Sequence, residues 1–278
     1  MSSFFRSAKV GNSYWLAVFL SGFLALFLVF ATASISVAQG TKLKQQLENS
    51  NTLDQGFELI NQGKFNEAFV IWLPIAEAGD ATAQHNLAVM YENGQGIEQS
   101  YADAVKWYQK AADQGVAEAQ FKLGVRYAYG EGVEQSYETA VKWYQKSANQ
   151  GVAEAQFNLG NMYTKDQGVE QSYEKAFEWY QISADQGLAE AQYNLGFMYG
   201  TGLGVDKAYV KSLKWFQKAA DQNHILAQFS LGSIYENGLG VIRSKKKAVY
   251  WYKKAAAQGD MVAIKQLRKL GVKFNSSD

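Results

Sequence analysis

The chain contains no cysteine, which excludes disulfide bonds, thiolate metal ligands and cysteine nucleophiles, so the fold must be stable through packing alone. Only two histidines are present, His85 and His224, and neither lies in a metal-ligand or acid–base pattern. The formal net charge of +1 gives no general argument for binding nucleic acid or an acidic substrate. The sequence therefore predicts no catalytic residues, no metal site, no cofactor and no nucleic-acid partner.

What the chain does contain is a strict internal repeat of 36 residues. Tryptophan keeps this spacing at Trp107, Trp143, Trp179, Trp215 and Trp251. Glutamine keeps it at Gln84, Gln120, Gln156, Gln192 and Gln228. An unbroken period of this length is typical of an array of small units that bury their apolar faces against each other.

Each repeat predicts a helix–turn–helix hairpin. In the second unit, Gln120, Leu123, Gly124 and Tyr127 follow helical spacing on one face of a first helix. A glycine inside a helix is costly, so Gly124 and its equivalents indicate close helix packing. A glycine-containing turn follows, with Ser136 as the expected N-cap of the second helix.

The second helix is predicted to run through Trp143 and to stop at Gly151, where left-handed backbone geometry suits glycine. Asn223 replaces that glycine in the fourth unit and tolerates the same geometry.

The repeating pattern A-x-A-Q-x-x-L-G-x-x-Y-x-x-G-x-G-V, followed by A-x-x-W-Y-x-x-A-A-x-Q-G, closely resembles the Sel-1-like repeat, a longer relative of the tetratricopeptide repeat. The resemblance implies an all-α fold, a right-handed α/α superhelical solenoid whose first helices line the concave side. It also implies that the chain acts as an adaptor for other proteins.

The sequence divides into five segments. Residues 39–52 form a linker, 53–79 a degenerate entry repeat, 80–259 the five Sel-1-like repeats, and 260–278 a C-terminal capping helix and tail. Pro74 is the only proline and falls within the second helix of the entry repeat, where it should kink that helix or shorten its hydrogen-bond ladder.

Residues 1–38 form the remaining segment and have the order of a secretory signal peptide. Arg6 and Lys9 precede an apolar run, and small residues then prepare a cleavage site after Ala38. The run is nearly long enough to span a bilayer, so an uncleaved N-terminal anchor is the alternative and the only expected membrane contact. Both interpretations place residues 40–278 outside the cytoplasm, in a bacterial periplasm or in the secreted fraction.

Features that recur in every unit are interpreted as structural. The paired turn glycines follow helices rather than strands, and the tryptophans recur beside small alanines, as core residues do. Carboxylates such as Glu118 recur at helix N-termini, where they stabilise the helix dipole.

Positions on the first helix that differ between units are better candidates for recognition. The predicted partner-binding residues on the concave face are Lys122, Val125, Tyr129, Asn158, Asn161, Lys165, Asn194, Phe197 and Thr201. Neutral variation at solvated positions is the alternative explanation for the same differences.

The sequence thus favours an exported, non-enzymatic scaffold that binds a protein or peptide in its concave groove. A binder or hydrolase of the cell wall, acting on β-lactams or peptidoglycan, is the alternative. Secreted relatives with that activity are rich in cysteine, which this chain lacks. Self-association is a third hypothesis, because residues 80–190 carry 16 Asp or Glu against 8 Lys or Arg, whereas residues 243–278 carry 10 Lys or Arg against 2 Asp.

Overall fold

The computed structural model describes residues 52–274, and over this range every regular element is an α-helix. The helices are α1 (Thr52–Asn61), α2 (Phe65–Glu77), α3 (Ala81–Asn93), α4 (Tyr101–Asp113), α5 (Ala117–Tyr129), α6 (Tyr137–Asn149), α7 (Ala153–Lys165), α8 (Tyr173–Asp185), α9 (Ala189–Thr201), α10 (Tyr209–Asp221), α11 (Ile225–Asn237), α12 (Lys245–Ala257) and α13 (Met261–Lys269). The predicted signal peptide or anchor at 1–38, nearly all of the linker and the last four residues lie outside this range.

The chain divides into two compact units, Met1–Ile71 and Trp72–Asp278. The described part of the first contains α1 and the start of α2. In the second, consecutive helix pairs pack as a solenoid of repeats, which confirms the all-α repeat fold predicted from the sequence. Within residues 52–274, none of the helices is both long and apolar enough to cross a bilayer.

Serine caps explain where most second helices begin. The Ser136 hydroxyl accepts a hydrogen bond from the Thr139 backbone N–H at 3.2 Å, which confirms the predicted N-cap. Serine caps α4, α8 and α12 in the same way. In α10 the cap position is Ala208, which has no side-chain oxygen and makes no such bond.

In four of the five units, a glycine within the first helix allows an aromatic ring to approach the backbone. A Cβ atom built on Gly124 would lie 2.6 Å from the Tyr144 ring, closer than real Cβ contacts. Gly160 faces Tyr180 in the same way, and Gly196 faces Phe216. The prediction of close packing at these glycines is therefore confirmed.

The repeated glutamines are buried and bond successive hairpins together. The Gln120 amide donates to the Ala112 carbonyl at 3.0 Å, and its side-chain oxygen accepts from Gln150 at 2.8 Å. The same two bonds recur at Gln84, Gln156, Gln192 and Gln228. Buried amides need such partners, so each unit satisfies its glutamine through the unit before it and its own second helix.

Tryptophans extend the apolar core from one unit to the next. Trp143, on α6, packs with Tyr108 of α4 and with Leu123 of α5 in one buried cluster. Trp251 packs in the same way with Phe216 and Leu231. Because each core cluster draws on neighbouring hairpins, no hairpin buries its apolar face alone.

The sole proline lies inside α2, and the helix continues three residues beyond it, to Glu77. Pro74 has no N–H to donate, so the ladder loses one bond there, as the sequence predicted. The Pro74 carbonyl still accepts from Ala78 N–H at 3.0 Å. The helix therefore continues across a residue that interrupts its hydrogen bonding.

Candidate functional site

The nine predicted partner-binding residues lie on three successive first helices. Lys122, Val125 and Tyr129 are on α5, Asn158, Asn161 and Lys165 on α7, and Asn194, Phe197 and Thr201 on α9. Tyr129 is 72% exposed and Phe197 is 47% exposed, so two large rings face solvent on this surface. We call the surface formed by these nine residues the variable face.

Four of the nine residues meet in one cavity of about 160 Å³. Tyr129 of α5 and the α7 residues Asn158, Asn161 and Lys165 line it, together with buried Tyr144 of α6. The remaining lining residues are Ala128, Gln135, Tyr137, Met162 and Gln167. The structure thus brings residues from different helices into one concave site, which we call the tyrosine cavity.

Lys122 does not point freely into solvent. Its ammonium lies 3.2 Å from the Glu92 carboxylate of the preceding unit, and its side chain is only 31% exposed. Val125 is also half-buried and packs against the core cluster of the second and third units. Both residues therefore contribute to packing between units, which the sequence pattern alone did not indicate.

Glu92 is the centre of a polar cluster between the first and second units. The Tyr108 hydroxyl donates to Glu92 Oε2 at 2.6 Å, and Arg126 lies 3.8 Å from Glu92 Oε1 while pairing with Glu131 at 2.6 Å. Burial raises the pKa of the Glu92 carboxyl, but Tyr108, Lys122 and Arg126 together hold the pKa below its usual value. The carboxylate is thus charged and fully engaged within the chain.

The two histidines occupy packing positions. His85 lies 5.7 Å from the Tyr108 ring centroid, and burial is the main cause of its lowered pKa. His224 caps α11 by accepting from Ala227 N–H at 3.2 Å and stacks on Tyr193 at 4.8 Å. Within residues 52–274, no three His, Asp or Glu side chains are grouped so that they could hold a metal ion.

Sequence reasoning missed the residue that opens the tyrosine cavity. Ala128 lines it and stands at the position that Glu92 occupies in the first unit. This position directly precedes Tyr129, so comparison of the repeats could have found it. Ala128 matters for the cavity because Tyr144 also lines it. The two residues are 16 positions apart in the sequence and come together only because α5 packs against α6.

Comparison with known proteins agrees with this architecture. The Sel1 repeat model matches five consecutive segments, 81–116, 117–152, 153–188, 189–224 and 225–260. No curated protein matches the chain.

Solved structures that are similar over most of the chain include the following two. A Sel1 repeat protein from Oxalobacter formigenes is 31% identical with a TM-score of 0.75, and the match covers 82% of this chain and 93% of that one. The protein c5321, a protective antigen of uropathogenic Escherichia coli strains with an SLR fold, is 35% identical with a TM-score of 0.76. That match covers 81% of this chain, which spans half the length of c5321.

The repeat match covers well over half of the described range, the helix pairs pack as in the solved relatives, and the glycine and glutamine contacts explain the repeated residues. The chain belongs to the Sel1 repeat family.

Proposed function

We propose that this protein is an exported, non-enzymatic scaffold that binds a partner protein or peptide along the variable face. Sel1 repeat proteins are generally protein-interaction scaffolds. The observation that carries the proposal is the exposure of Tyr129 and Phe197 on a surface whose neighbouring positions differ from unit to unit.

Exposed aromatic side chains favour an interface because they bury a large apolar area without much loss of side-chain freedom. Tyr129 lies at the end of α5 and Phe197 near the end of α9, with the polar side chains of α7 between them. A bound segment would therefore meet an aromatic anchor on each side of a polar centre.

The scaffold keeps these positions fixed. Gln120, Leu123 and Gly124 on the opposite side of α5 are buried, so its outward side chains are held by a packed helix. Preorganisation of this kind lowers the entropic cost of binding. Variation at exposed positions such as Tyr129 and Phe197 can then change the partner without disturbing the solenoid.

Site-specific photo-crosslinking tests the proposal in the cells that make the protein. A photoreactive phenylalanine analogue at Tyr129 or Phe197 should give a discrete crosslinked product with one partner. The same analogue at Tyr250, which is 53% exposed on a second helix, is the matched control and should give no such product.

Substitution provides the complementary measurement. Changing Tyr129, Lys165 and Phe197 together to alanine should lower affinity for the crosslinked partner at least about tenfold, because both anchors are lost. The control variant changes Ile182, Lys142 and Tyr250, which lie on second helices and are exposed. Equal affinity for the two variants, with both folded, would show that the variable face is not the binding surface.

A further inference from the structure

The tyrosine cavity can be compared with four equivalent places in the same chain. In each unit, the second helix places a ring against the first helix of that unit: Tyr108, Tyr144, Tyr180, Phe216 and Tyr252. The position 16 residues before each ring lies on the first helix and varies between units: Glu92, Ala128, Thr164, Gly200 and Glu236. The five units thus show how one geometry accepts different side chains.

In the first and fifth units the ring hydroxyl donates to a carboxylate. Tyr108 bonds to Glu92 at 2.6 Å, and Tyr252 bonds to Glu236 at 2.7 Å. A hydroxyl bond to a charged acceptor is short and strong, as these distances show. A carboxylate therefore accepts from the ring hydroxyl in two of the five units.

The third and fourth units have no carboxylate at this position, and each avoids an unpaired ring hydroxyl in its own way. Tyr180 donates to the Asn161 side-chain oxygen at 2.7 Å. In the fourth unit the ring is Phe216, which has no hydroxyl and needs no acceptor. In all four of these units, a hydroxyl is present only where an acceptor is present.

The second unit differs from the other four. Tyr144 is 2% exposed, and its hydroxyl pairs with the side-chain amide of Asn158. Ala128 has no oxygen on its side chain, so within residues 52–274 the Tyr144 hydroxyl lacks the carboxylate partner that Tyr108 and Tyr252 have. A hydroxyl bonds more strongly to a charged carboxylate than to a neutral amide, so this hydroxyl favours a carboxylate that enters the cavity.

The space beside this hydroxyl has the right size and charge for an acidic side chain. Ala128 and Tyr144 both line the cavity, whose volume of about 160 Å³ corresponds to several waters, each occupying about 30 Å³. Lys165 lines it too and has no carboxylate partner within the described range. The positive charge of Arg126 also acts on Tyr144.

We propose that the tyrosine cavity receives one carboxylate side chain, Asp or Glu, from the bound partner, which takes the place that Glu92 and Glu236 occupy in their own units. The Tyr144 hydroxyl donates to that carboxylate, and the Lys165 ammonium supplies a compensating charge. This inference rests on the proposed partner-binding function and specifies the chemistry of its central contact.

The surroundings define the partner segment further. Residues 80–190 carry an excess of acidic side chains, so long-range attraction does not recruit a strongly acidic partner. Tyr129 lies at the cavity and is exposed. The fitting ligand is therefore a segment with a single acidic residue beside apolar ones rather than an acidic tract.

The test uses a small probe on the full chain, observed by NMR at the Asn158 side-chain amide and the Tyr144 ring. N-acetyl-glutamate N-methylamide should give saturable shifts at both groups. The glutamine analogue, which matches it in shape but carries no charge, should bind at least about tenfold more weakly.

Two variants locate the interaction. Tyr144→Phe removes only the hydroxyl and should weaken binding of the glutamate probe, and it should fold because Phe216 fills the equivalent place in the fourth unit. Ala128→Glu supplies the carboxylate from within, as Glu92 does, and should abolish binding while raising the melting temperature. Tyr252→Phe, which removes a hydroxyl already bonded to Glu236, is the matched control and should bind the probe normally.

Equal binding of the two probes, undiminished binding to Ala128→Glu, or no saturable shift would each overturn the proposal. Failure of the probe test with intact crosslinking at Tyr129 would contradict only the carboxylate contact. Probe binding without any crosslinked partner would instead contradict the proposed scaffold function.

Discussion

At the scale of single residues, the repeats show which side chains are fixed by close contact and which by hydrogen bonding. Gly124 is favoured because a Cβ there would lie 2.6 Å from the Tyr144 ring. Gln120 is required because its buried amide bonds two other helices. Glu92 is different, since its bond with Tyr108 recurs only in the fifth unit, between Glu236 and Tyr252, and other residues take its position in the remaining units.

Gly124→Ala should destabilise the protein by roughly 1–2 kcal/mol, because overpacking against Tyr144 outweighs the gain in helix propensity. Chemical denaturation would measure the change. Ala88 occupies the equivalent position in the first unit and is fully buried, so Ala88→Gly is the matched control. It should also destabilise, by about 1 kcal/mol through propensity alone. A more stable Gly124→Ala protein would contradict the packing argument.

The Glu92 cluster should make stability depend on pH. Because the pKa of Glu92 is lowered in the folded state, its contribution is fully present above the ordinary value of 4.5 and is lost as pH falls below it through the folded pKa. Glu92→Gln should therefore give a shallower loss of unfolding free energy below pH 4.5 than the parent chain.

Glu170→Gln provides the control for that measurement, since Glu170 is exposed and makes no ion pair among the described residues. Its denaturation profile should follow that of the parent. Parallel profiles for all three proteins would show that the Glu92 carboxylate does not contribute to the pH dependence of stability.

At the scale of helices, the hairpins are similar because the same local signals start and stop each one. Serine caps four of the second helices in the five repeats, and left-handed residues end the first helices, including Asp166 with a φ of 56°. The exception at Ala208 is a local weakness in an otherwise uniform pattern.

Ala208→Ser should stabilise the protein by about 1 kcal/mol, raising the melting temperature by about 2–4 °C. The Ala208 backbone already has φ −149° and ψ 87°, close to the Ser136 values of −150° and 107°, so the new hydroxyl can reach the Lys211 N–H. Ser136→Ala is the reverse change and should cost a similar amount. A calorimetric scan in which Ala208→Ser lowers the melting temperature would refute the capping argument.

At the scale of the whole molecule, a repeat solenoid provides a long surface from a short sequence unit. Stability is spread over contacts between neighbouring hairpins, such as the glutamine bonds, so no one unit must carry a special core. The outer positions are therefore free to vary, and the variable face is where we place partner binding.

Export is the whole-molecule property that we propose from the predicted signal peptide at residues 1–38. The mature protein, isolated from the cells that make it, should begin at Gln39 when its intact mass is measured. Retention of residues 1–38 with recovery in the membrane fraction would favour the anchor, and recovery in the cytoplasm with residues 1–38 intact would contradict export. Substituting the apolar run with polar residues should retain the chain in the cytoplasm in either case.

The sequence by itself determined the hairpin, its period and its caps, because these depend on residues within about four positions of each other and on glycine's freedom in the left-handed region. It also indicated the variable face, since repeats can be compared directly. Only the tertiary structure showed that Lys122 is held by Glu92 and that Ala128 leaves Tyr144 beside a cavity. Those relations join residues 16 or 30 positions apart, and their distances are set by how helices pack rather than by local sequence.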